Sequence, residues 1–295
     1  MEALANLPWG QLIVNGLALG SLYALAAFGL VLIYKITDII NFAQGELGMV
    51  SAFVAFFLIT TFQLPFILAF ILTLIFAGIL GALVERFIVR PVENTSPLNP
   101  VILTVGIGVL LVGLAGTLWG YETRPFPAPI SGPALRLAGL VLSRINALIL
   151  VVMAVLMVAL YLFFRYTLVG SAMRAVAQNQ VAARLMGISV GRIKALGWSV
   201  GTALAAVTGI FIAPLNYLDP NMMGDVILYA FAAAVLGGVT SLPGSVVGGL
   251  LLGIISSVAG FFAPQLRTTI AFAIIVLVLV IRPRGLLGGR VVKKV

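Results

Sequence analysis

Long apolar runs recur along this sequence of 295 residues, and they constrain its fold more than any other feature. Several reach about twenty residues, the length at which a helix crosses the hydrocarbon core of a bilayer. Apolar residues make up 62% of the chain and charged residues only 8%, which is too little charge to cover a soluble domain of this size. The sequence therefore predicts an all-α polytopic membrane protein that forms a single transmembrane domain over residues 1–295.

Nine apolar segments are candidates for membrane helices. They cover residues 12–34, 45–62, 65–85, 98–120, 147–164, 195–216, 226–239, 245–262 and 268–281. The second, seventh and eighth are short or interrupted by glycine. The pattern therefore indicates about eight to ten transmembrane helices, some of them short or broken.

Basic residues are distributed unevenly between the two sides that nine crossings create. With the N-terminus outside, thirteen Lys and Arg residues fall on the inner side and four on the outer side. Cytoplasmic loops of membrane proteins carry an excess of these residues. We therefore predict an external N-terminus and a cytoplasmic C-terminus, with a basic tail over 282–295. The first residues contain Glu2 and no basic residue, so they do not have the pattern of a cleaved signal peptide.

Residues that the sequence lacks exclude several classes of function. It contains no Cys and no His, so we predict no metal site, no cofactor and no catalytic residue. No Gly-Lys dipeptide occurs, so the chain has no phosphate-binding loop for ATP hydrolysis. Membrane topology accounts for the net charge of +9, so no nucleic-acid partner is expected. If transport by this chain is active, a partner subunit is expected to supply the energy.

Ionisable residues are absent from four apolar segments, 12–34, 98–120, 195–216 and 245–262. Proton-driven transporters usually carry carboxylates or histidines inside the membrane, so this absence disfavours a proton relay through the bundle. Sodium coupling stays open, because unwound helices bind the ion through backbone carbonyls.

Small residues recur at every third or fourth position in three of the segments. These strips consist of Gly16, Gly20 and Ala24; of Gly197, Gly201, Ala205, Gly209 and Ala213; and of Gly249, Gly253, Ser257 and Gly260. Such faces let the backbones of two membrane helices approach closely. The strips predict a tightly packed bundle.

The longest inner loop, residues 166–194, is basic, rich in alanine and free of proline. Its composition predicts a helix over 171–186, with Gly187 at the position where glycine ends a helix. Ser189 is placed to cap a second short turn. This helix, glycine, helix pattern suits the docking of a cytoplasmic partner, so we call 166–194 the coupling loop. The alternative is a loop that fixes topology and contacts lipid head groups.

Three polar residues stand where the second apolar segment begins. Asn41 and Gln44 are three residues apart and share a helical face, and Glu46 follows at the cytoplasmic end of the predicted span. They are candidates for lining a substrate pathway. The alternatives are interhelical hydrogen bonds for Asn41 and Gln44, and for Glu46 a stabilising position at a helix N-terminus.

Gly237 and Gly238 interrupt a later apolar region, in the stretch LGGVTSLPGSVVGG. Paired interruptions in two halves of a transporter are typical of half-helices that meet near a pathway. Both glycines are therefore pathway candidates as well. A simple cytoplasmic turn between two spans explains them equally well.

Three stretches, at 16–56, 174–211 and 232–255, closely resemble the permease subunits of branched-chain amino acid ABC transporters, in particular the LivH-type subunit. The resemblance runs from about residue 11 to 288. It implies a non-catalytic permease in a bacterial or archaeal plasma membrane, in an importer for branched-chain or related neutral amino acids. Two cytoplasmic ATP-binding subunits, a second permease in a heterodimer, and an external or periplasmic solute-binding protein are the implied partners. Urea or short amides are alternative substrates, and an ATP-independent secondary transporter is an alternative function.

The resemblance also implies contacts with the ATPase. Permeases of this broad class carry a signature of Glu-Ala-Ala, three residues and Gly in the coupling loop. Ala182, Ala183 and Gly187 match it in VAARLMG, whereas Val181 stands where the acidic residue is expected. Candidate polar contacts with the ATPase are Arg174, Arg184 and Arg192, and the alternative for each is a solvated charge without a partner.

Overall fold

The computed structural model describes residues 9–93, 95–96, 98–130, 132–137 and 140–288. Residues 1–8, which include Glu2, and 289–295 of the predicted basic tail lie outside the described residues. In chain order the elements are α1 (Trp9–Thr37), α2 (Gln44–Thr60), α3 (Phe66–Leu83), a π-helical turn (Val84–Val89), a 3-10 turn (Arg90–Val92), α4 (Leu98–Trp119), β1 (Leu135–Leu137), β2 (Leu140–Leu142), α5 (Arg144–Tyr166), α6 (Leu168–Gln178), α7 (Gln180–Leu185), α8 (Val190–Asn216), α9 (Gly224–Gly237), α10 (Leu242–Phe262), a 3-10 turn (Pro264–Leu266) and α11 (Arg267–Ile281).

Each of the nine apolar segments forms a helix, so the predicted all-α membrane fold is confirmed. Among the described residues, seven helices are long and apolar enough to cross a membrane, counting Phe66–Val92 and Pro264–Ile281 as one each. The other two, α2 with 17 residues and α9 with 14, are apolar but shorter than the about twenty residues of a full crossing. The eighth segment, in contrast, lies in the continuous helix α10.

The loops gather at two opposite ends of the bundle, as alternating crossings require. We call one end the basic end. It contains the coupling loop, the segment after α3, the turn after α9 and the chain after α11. Contacts between these segments, or with the end of α1, are Gln180–Ile36, Lys194–Glu93 and Leu286–Leu236. Ten described basic residues lie there: Lys35, Arg86, Arg90, Arg165, Arg174, Arg184, Arg192, Lys194, Arg282 and Arg284. The opposite end holds Arg124, Arg136, Arg144 and Arg267. That the basic end faces the cytoplasm stays a prediction.

Helix α1 lies at the centre of the bundle, with nearly every residue from Gly20 to Ile33 buried. Two of the predicted small-residue strips meet here, because α1 packs directly on α10. A Cβ atom on Gly20 would lie 2.8 Å from the carbonyl oxygen of Gly249, and the backbone of Gly253 lies against Gly20. Backbones this close exclude any larger side chain at the crossing.

The third strip, on α8, packs against α1 and α2. A Cβ atom on Gly48 of α2 would lie 2.6 Å from the carbonyl oxygen of Ala205, and Gly209 contacts the backbone of Gly48. Gly201 of the same strip packs against Gly29 and Ile33 of α1. α8 is therefore the second central helix.

A short antiparallel hairpin at the opposite end was not predicted. β1 pairs with β2 in the register Leu135 to Leu142. The side chain of Gln11 joins the hairpin to α1, because it donates to the carbonyl oxygen of Val141 at 2.6 Å and accepts from its amide at 2.9 Å. Strands of three residues are too short to show a periodic pattern in sequence.

Candidate functional site

The chain turns back into the bundle between α1 and α2. Gln44 begins α2, and its side-chain Nε2 donates to the carbonyl oxygen of Gly201 in α8 at 2.8 Å. The same nitrogen would lie 2.6 Å from a Cβ atom on Gly29 of α1. Gly29 is eight residues before the end of α1, so at 1.5 Å per residue the start of α2 lies about 12 Å inside the basic end. The sequence predicts that this segment lies at the cytoplasmic end of the span. The start of α2 lies deeper inside the bundle than that prediction places it.

Asn41 and Gln44 form one hydrogen-bonded unit. Asn41 Nδ2 donates to Gln44 Oε1 at 3.1 Å, and Asn41 Oδ1 accepts from the backbone amide of Ala43 at 3.1 Å. Both side chains are completely buried. Buried side-chain amides need hydrogen-bond partners. The bond to Ala43 also supplies a partner for a backbone amide of the loop before α2. The predicted hydrogen-bonding role is therefore observed in this conformation, and pathway lining by these two residues stays a prediction.

Thr104 of α4 closes the loop from the other side. Its hydroxyl accepts from the amide of Phe42 at 3.3 Å and donates to the carbonyl oxygen of Val101 in α4 at 2.8 Å, with the carbonyl oxygen of Ile40 at 3.3 Å. Glu46 stands in the first turn of α2, next to Gly108 of the same α4. One carboxylate oxygen, Oε2, is buried and has no hydrogen-bond partner within the described part of the chain. An unpartnered carboxylate oxygen inside a membrane bundle makes Glu46 a candidate for a functional role.

A second, partly buried loop, residues 217–223, meets the start of α2. It follows α8 and leads into the short helix α9, and Leu218, Met222 and Met223 are buried in it. A Cβ atom on Gly45 of α2 would lie 3.3 Å from the Cβ atoms of Met223 and Ile227. The first turns of α2 and α9 are therefore in contact. Each short helix follows a long central helix, and the two pairs run in opposite directions.

Phe42 and Phe231 continue this contact, with their ring centroids 5.1 Å apart. Sequence reasoning treats 217–223 as part of a short outer loop and does not predict its packing against α2. The stretch YLDPNMMGD contains turn residues between two apolar segments, but loops of this composition are usually exposed, and only the fold shows that Leu218, Met222 and Met223 of this one are buried.

Gly237 and Gly238 lie at the basic end, away from the meeting of α2 and α9. Gly237 ends α9, and its backbone contacts that of Gly244 in α10. Gly238 has φ of 105°, which favours glycine. The chain after α11 pairs with this turn, since the amides of Leu286 and Leu287 donate to the carbonyl oxygens of Leu236 and Gly237. The segment is a turn between two helices in this conformation, and pathway lining by Gly237 and Gly238 stays a prediction.

The coupling loop forms two helices rather than one. The predicted helix over 171–186 begins earlier, with α6 at Leu168, and breaks at Asn179. The side chain of Asn179 accepts hydrogen bonds from the amides of Val181 and Ala182 at 3.0 Å, so it caps α7 and ends α6. Gly187 follows α7 with φ of 82°, as predicted for a helix C-terminal glycine.

Ser189 does not cap a separate turn. It precedes the long helix α8 directly, and its side chain makes no capping hydrogen bond. The predicted second turn is therefore the first turn of α8.

The tip of the coupling loop presents apolar side chains. Val181, Leu185 and Met186 are 68%, 83% and 82% exposed. Ala183, between them, is buried and Ala182 is exposed. Together with Gly187, these residues form a small apolar knob at the basic end.

The three candidate arginines of the coupling loop are exposed. Arg174 donates to Ser171 Oγ at 3.0 Å. The two ion pairs found among the described residues, Arg90–Glu85 and Lys194–Glu93, do not include Arg174, Arg184 or Arg192. Their guanidinium groups are therefore available to a partner, and the ATPase-coupling role of these arginines stays a prediction.

Sequence reasoning missed a polar network that holds the start of α8. Arg90 forms two hydrogen bonds with the buried carboxylate of Glu85, at 2.5 and 3.0 Å, and a third with the carbonyl oxygen of Gly191 at 2.6 Å. Lys194 pairs with Glu93 at 3.0 Å. The spacing of five between Glu85 and Arg90 does not fit an α-helix, but the π-helical turn over 84–89 brings the two residues together.

Comparison with known proteins gives a consistent picture. Residues 12–281 match the family model described as branched-chain amino acid transport system / permease component. The chain is 34% identical to the permease protein BraD of Pseudomonas aeruginosa, described as part of a high-affinity branched-chain amino acid transport system, over 97% of both chains. It is 32% identical to the permease LivH of Escherichia coli K12, again over 97% of both. A probable branched-chain amino acid permease of Methanocaldococcus jannaschii is 26% identical, over 97% of this chain and 94% of its own.

Proposed function

Because the chain belongs to the family of branched-chain amino acid transport permeases, we propose that it is the membrane subunit of an ATP-driven importer for branched-chain or related neutral amino acids. The chain itself is a multi-pass protein of the plasma membrane. Its proposed partners are two cytoplasmic ATP-binding subunits, a second permease and an external solute-binding protein.

The observation that carries the ATP-driven part of the proposal is the exposed apolar knob at the tip of the coupling loop. Val181, Leu185 and Met186 extend from a helix of six residues that lies at the basic end. An apolar group on the water-exposed side of a membrane protein is typical of a protein contact site. The absence of a phosphate-binding loop in the chain agrees with ATP hydrolysis on a separate subunit.

One hydrogen bond connects the helix of this knob to central helix α1, and two further contacts hold the start of α8, which follows the knob in the chain. Gln180 of α7 donates to the carbonyl oxygen of Ile36 in α1 at 3.1 Å. Arg90 and Lys194 tie the first turn of α8 to the segment after α3. A displacement of α7 by the ATPase would therefore act on α1, α3 and α8 together. In the proposed cycle, this displacement moves the bundle between inward-open and outward-open states.

The proposed pathway passes the meeting of α2 and α9. Discontinuous helices whose ends meet inside the bundle form the substrate sites of many transporters, where first-turn amide groups bind anionic parts of the substrate. In this conformation Asn41 and Gln44 are buried, so their exposure to substrate would require the bond between Gln44 and Gly201 to open. α8 carries Gly201 and follows directly on the coupling loop, so its movement would open this bond. Gly237 and Gly238 would act as the close-packed turn that follows α9.

Reconstitution tests the function as a whole. Liposomes would contain this permease with or without its co-encoded permease, ATPases and binding protein, with radiolabelled leucine or urea as cargo. We expect leucine uptake only with the full set and internal ATP. Uptake by this chain alone without ATP would instead establish a secondary transporter, and accumulation of urea alone would place the protein among amide carriers.

The double substitution L185E and M186E tests docking. Two carboxylates on the knob would have to lose water on burial in an apolar ATPase cleft, so we expect co-purification of the ATPase to fall at least about tenfold. The matched control is L135E, which changes an exposed leucine at the opposite end. Unchanged ATPase recovery with the double variant would contradict the docking role of α7.

A further inference from the structure

A groove between α5 and α10 opens on the outer surface of the bundle near the basic end. Its volume is about 620 Å³, and its walls are formed by apolar residues of α5 and α10, with Phe28 of α1 at the base. Most of α5 is exposed or half-buried, and within that helix only Ile149 and Met153 are buried. The groove therefore lies on a surface that membrane lipid or another membrane subunit covers.

Two arginines line this otherwise apolar groove. Arg165 ends α5 and Arg174 lies on α6, and both side chains are exposed. Neither takes part in an ion pair with any carboxylate in the described ranges of the chain. An adjoining cavity of about 150 Å³ shares Arg174 and adds Lys35 of α1. The groove is thus lined by two cationic groups that have no acidic partner in the described ranges of the chain. Lys35 adds a third in the adjoining cavity.

Aromatic side chains indicate the level of Arg165 in the membrane. Its guanidinium group lies 5.7 Å from the ring centroid of Tyr161 and 5.6 Å from that of Tyr166, and it donates to the Tyr161 hydroxyl at 2.6 Å. Tyrosines are concentrated where membrane helices pass through the head-group region, and long basic side chains extend toward the same level. The apolar part of the groove runs along the first turns of α10 from Leu242 to Val247, where an acyl chain would lie.

We propose that this groove binds an anionic glycerophospholipid. Its phosphate would lie between Arg165 and Arg174, and one acyl chain would occupy the apolar groove between α5 and α10. Guanidinium groups bind phosphate through two parallel hydrogen bonds, and basic pockets between transmembrane helices on the cytoplasmic side are typical sites for anionic head groups. A protein partner is a poorer match to the same surface, because it would have to supply carboxylates at the membrane interface for both arginines.

The bound lipid would connect the membrane helices to the coupling loop. Thr167 lies between α5 and α6, and its hydroxyl accepts from the amide of Gly170. In sequence, Arg165 precedes this break between the helices and Arg174 follows it. A phosphate held by both arginines would therefore hold α6 against the end of α5. The site depends on this geometry alone and not on the proposed transport function.

Native mass spectrometry of the purified full-length chain tests the site, with phosphatidylglycerol titrated against phosphatidylcholine. We expect the wild type to retain phosphatidylglycerol selectively. The double variant R165Q and R174Q should bind it at least about tenfold more weakly, since each basic group near the surface contributes to this attraction. The variant R86Q removes an exposed arginine at the same end but outside the groove, and it should bind as the wild type does.

A second variant keeps the charges and fills the groove. V247F places a ring in the space proposed for the acyl chain and should lower phosphatidylglycerol retention, even if the arginine variant fails to fold. Equal binding of both lipids by the wild type, or retention unchanged in R165Q/R174Q and in V247F, would overturn the proposal. A photocrosslinker at Val247 in the assembled transporter gives a further test, and its capture of the second permease instead of lipid would also overturn it.

Discussion

Gln44 connects three helices through a single side chain. Its amide bonds Asn41 within the loop and the carbonyl oxygen of Gly201 across the bundle, beside Gly29 of α1. Neighbouring Glu46 has one carboxylate oxygen, next to α4, for which the described residues supply no partner. At the scale of single residues, the fold depends on a few polar atoms that fit beside the small residues of the helix strips.

Replacing Gln44 with methionine should destabilise the protein by roughly 1–2 kcal/mol. The side-chain volume is nearly conserved, but Gly201 and Asn41 lose a buried partner, and interhelical hydrogen bonds in membranes are worth about this much. The free energy of unfolding of the purified chain in detergent would measure the loss. Q265M, at an exposed glutamine, is the control and should change little. Equal stability of Q44M and Q265M would show that the amide bonds contribute nothing.

The small-residue strips act at the scale of whole helices. α1 and α10 are held by backbone contact at Gly20, Gly249 and Gly253, where no side chain fits between them. The π-helical turn after α3 acts at the same scale, since it aligns Glu85 with Arg90 and so connects α3 to α8.

The substitution G253A tests the crossing of α1 and α10. A Cβ atom would overlap the backbone of Gly20, so the helices must separate, and we expect a loss of about 1–3 kcal/mol in unfolding free energy. G106A is the matched control, because no atom lies within 4 Å of the added Cβ on this α4 residue. G106A should be neutral or slightly stabilising, as alanine favours helix. A loss as large in G106A as in G253A would contradict the packing explanation.

The ion pair after α3 is tested by a double-mutant cycle. R90M leaves the carboxylate of Glu85 buried without its partner, and Glu85 is 1% exposed, so the single change should cost about 2 kcal/mol. This is less than for a fully buried pair, because the Arg90 side chain is 34% exposed. The double variant E85M and R90M removes the charge as well and should be more stable than R90M. Thermal unfolding in detergent would compare the variants, and a double variant that is less stable than R90M would refute this explanation.

At the scale of the whole molecule, the ends of the helices define two surfaces of different charge. The basic end carries the coupling loop and most of the arginines, whereas the opposite end carries the hairpin and the loop that leads into α9. This distribution supports a single orientation in the membrane.

Single-cysteine labelling tests the orientation without interference, because the chain has no native cysteine. R184C lies on α7, and R136C lies in the hairpin. With a maleimide that cannot cross membranes, R136C should be labelled in intact spheroplasts and R184C only after permeabilisation. The reverse pattern would contradict the predicted orientation and the docking of a cytoplasmic ATPase on α7.

Much of the architecture could be predicted from local sequence. The nine apolar segments, the small-residue strips and the glycine at 187 are each defined by residues within a few positions of one another. Two of the predicted strips, on α1 and α10, indeed pack together. Asn179 shows the limit of this approach, since its side chain interrupts a stretch whose average composition favours one continuous helix.

The sequence by itself determined the class of the protein, because hydropathy and helical periodicity depend only on neighbouring residues and on the thickness of the bilayer. Tertiary structure alone decided where the polar groups act. The partner of Gln44 lies 157 residues away, and the loop at 217–223 meets α2 only because two long helices bring it there. Inside a membrane a polar group must find its partner within the protein, and which distant residue supplies that partner depends on how the helices cross.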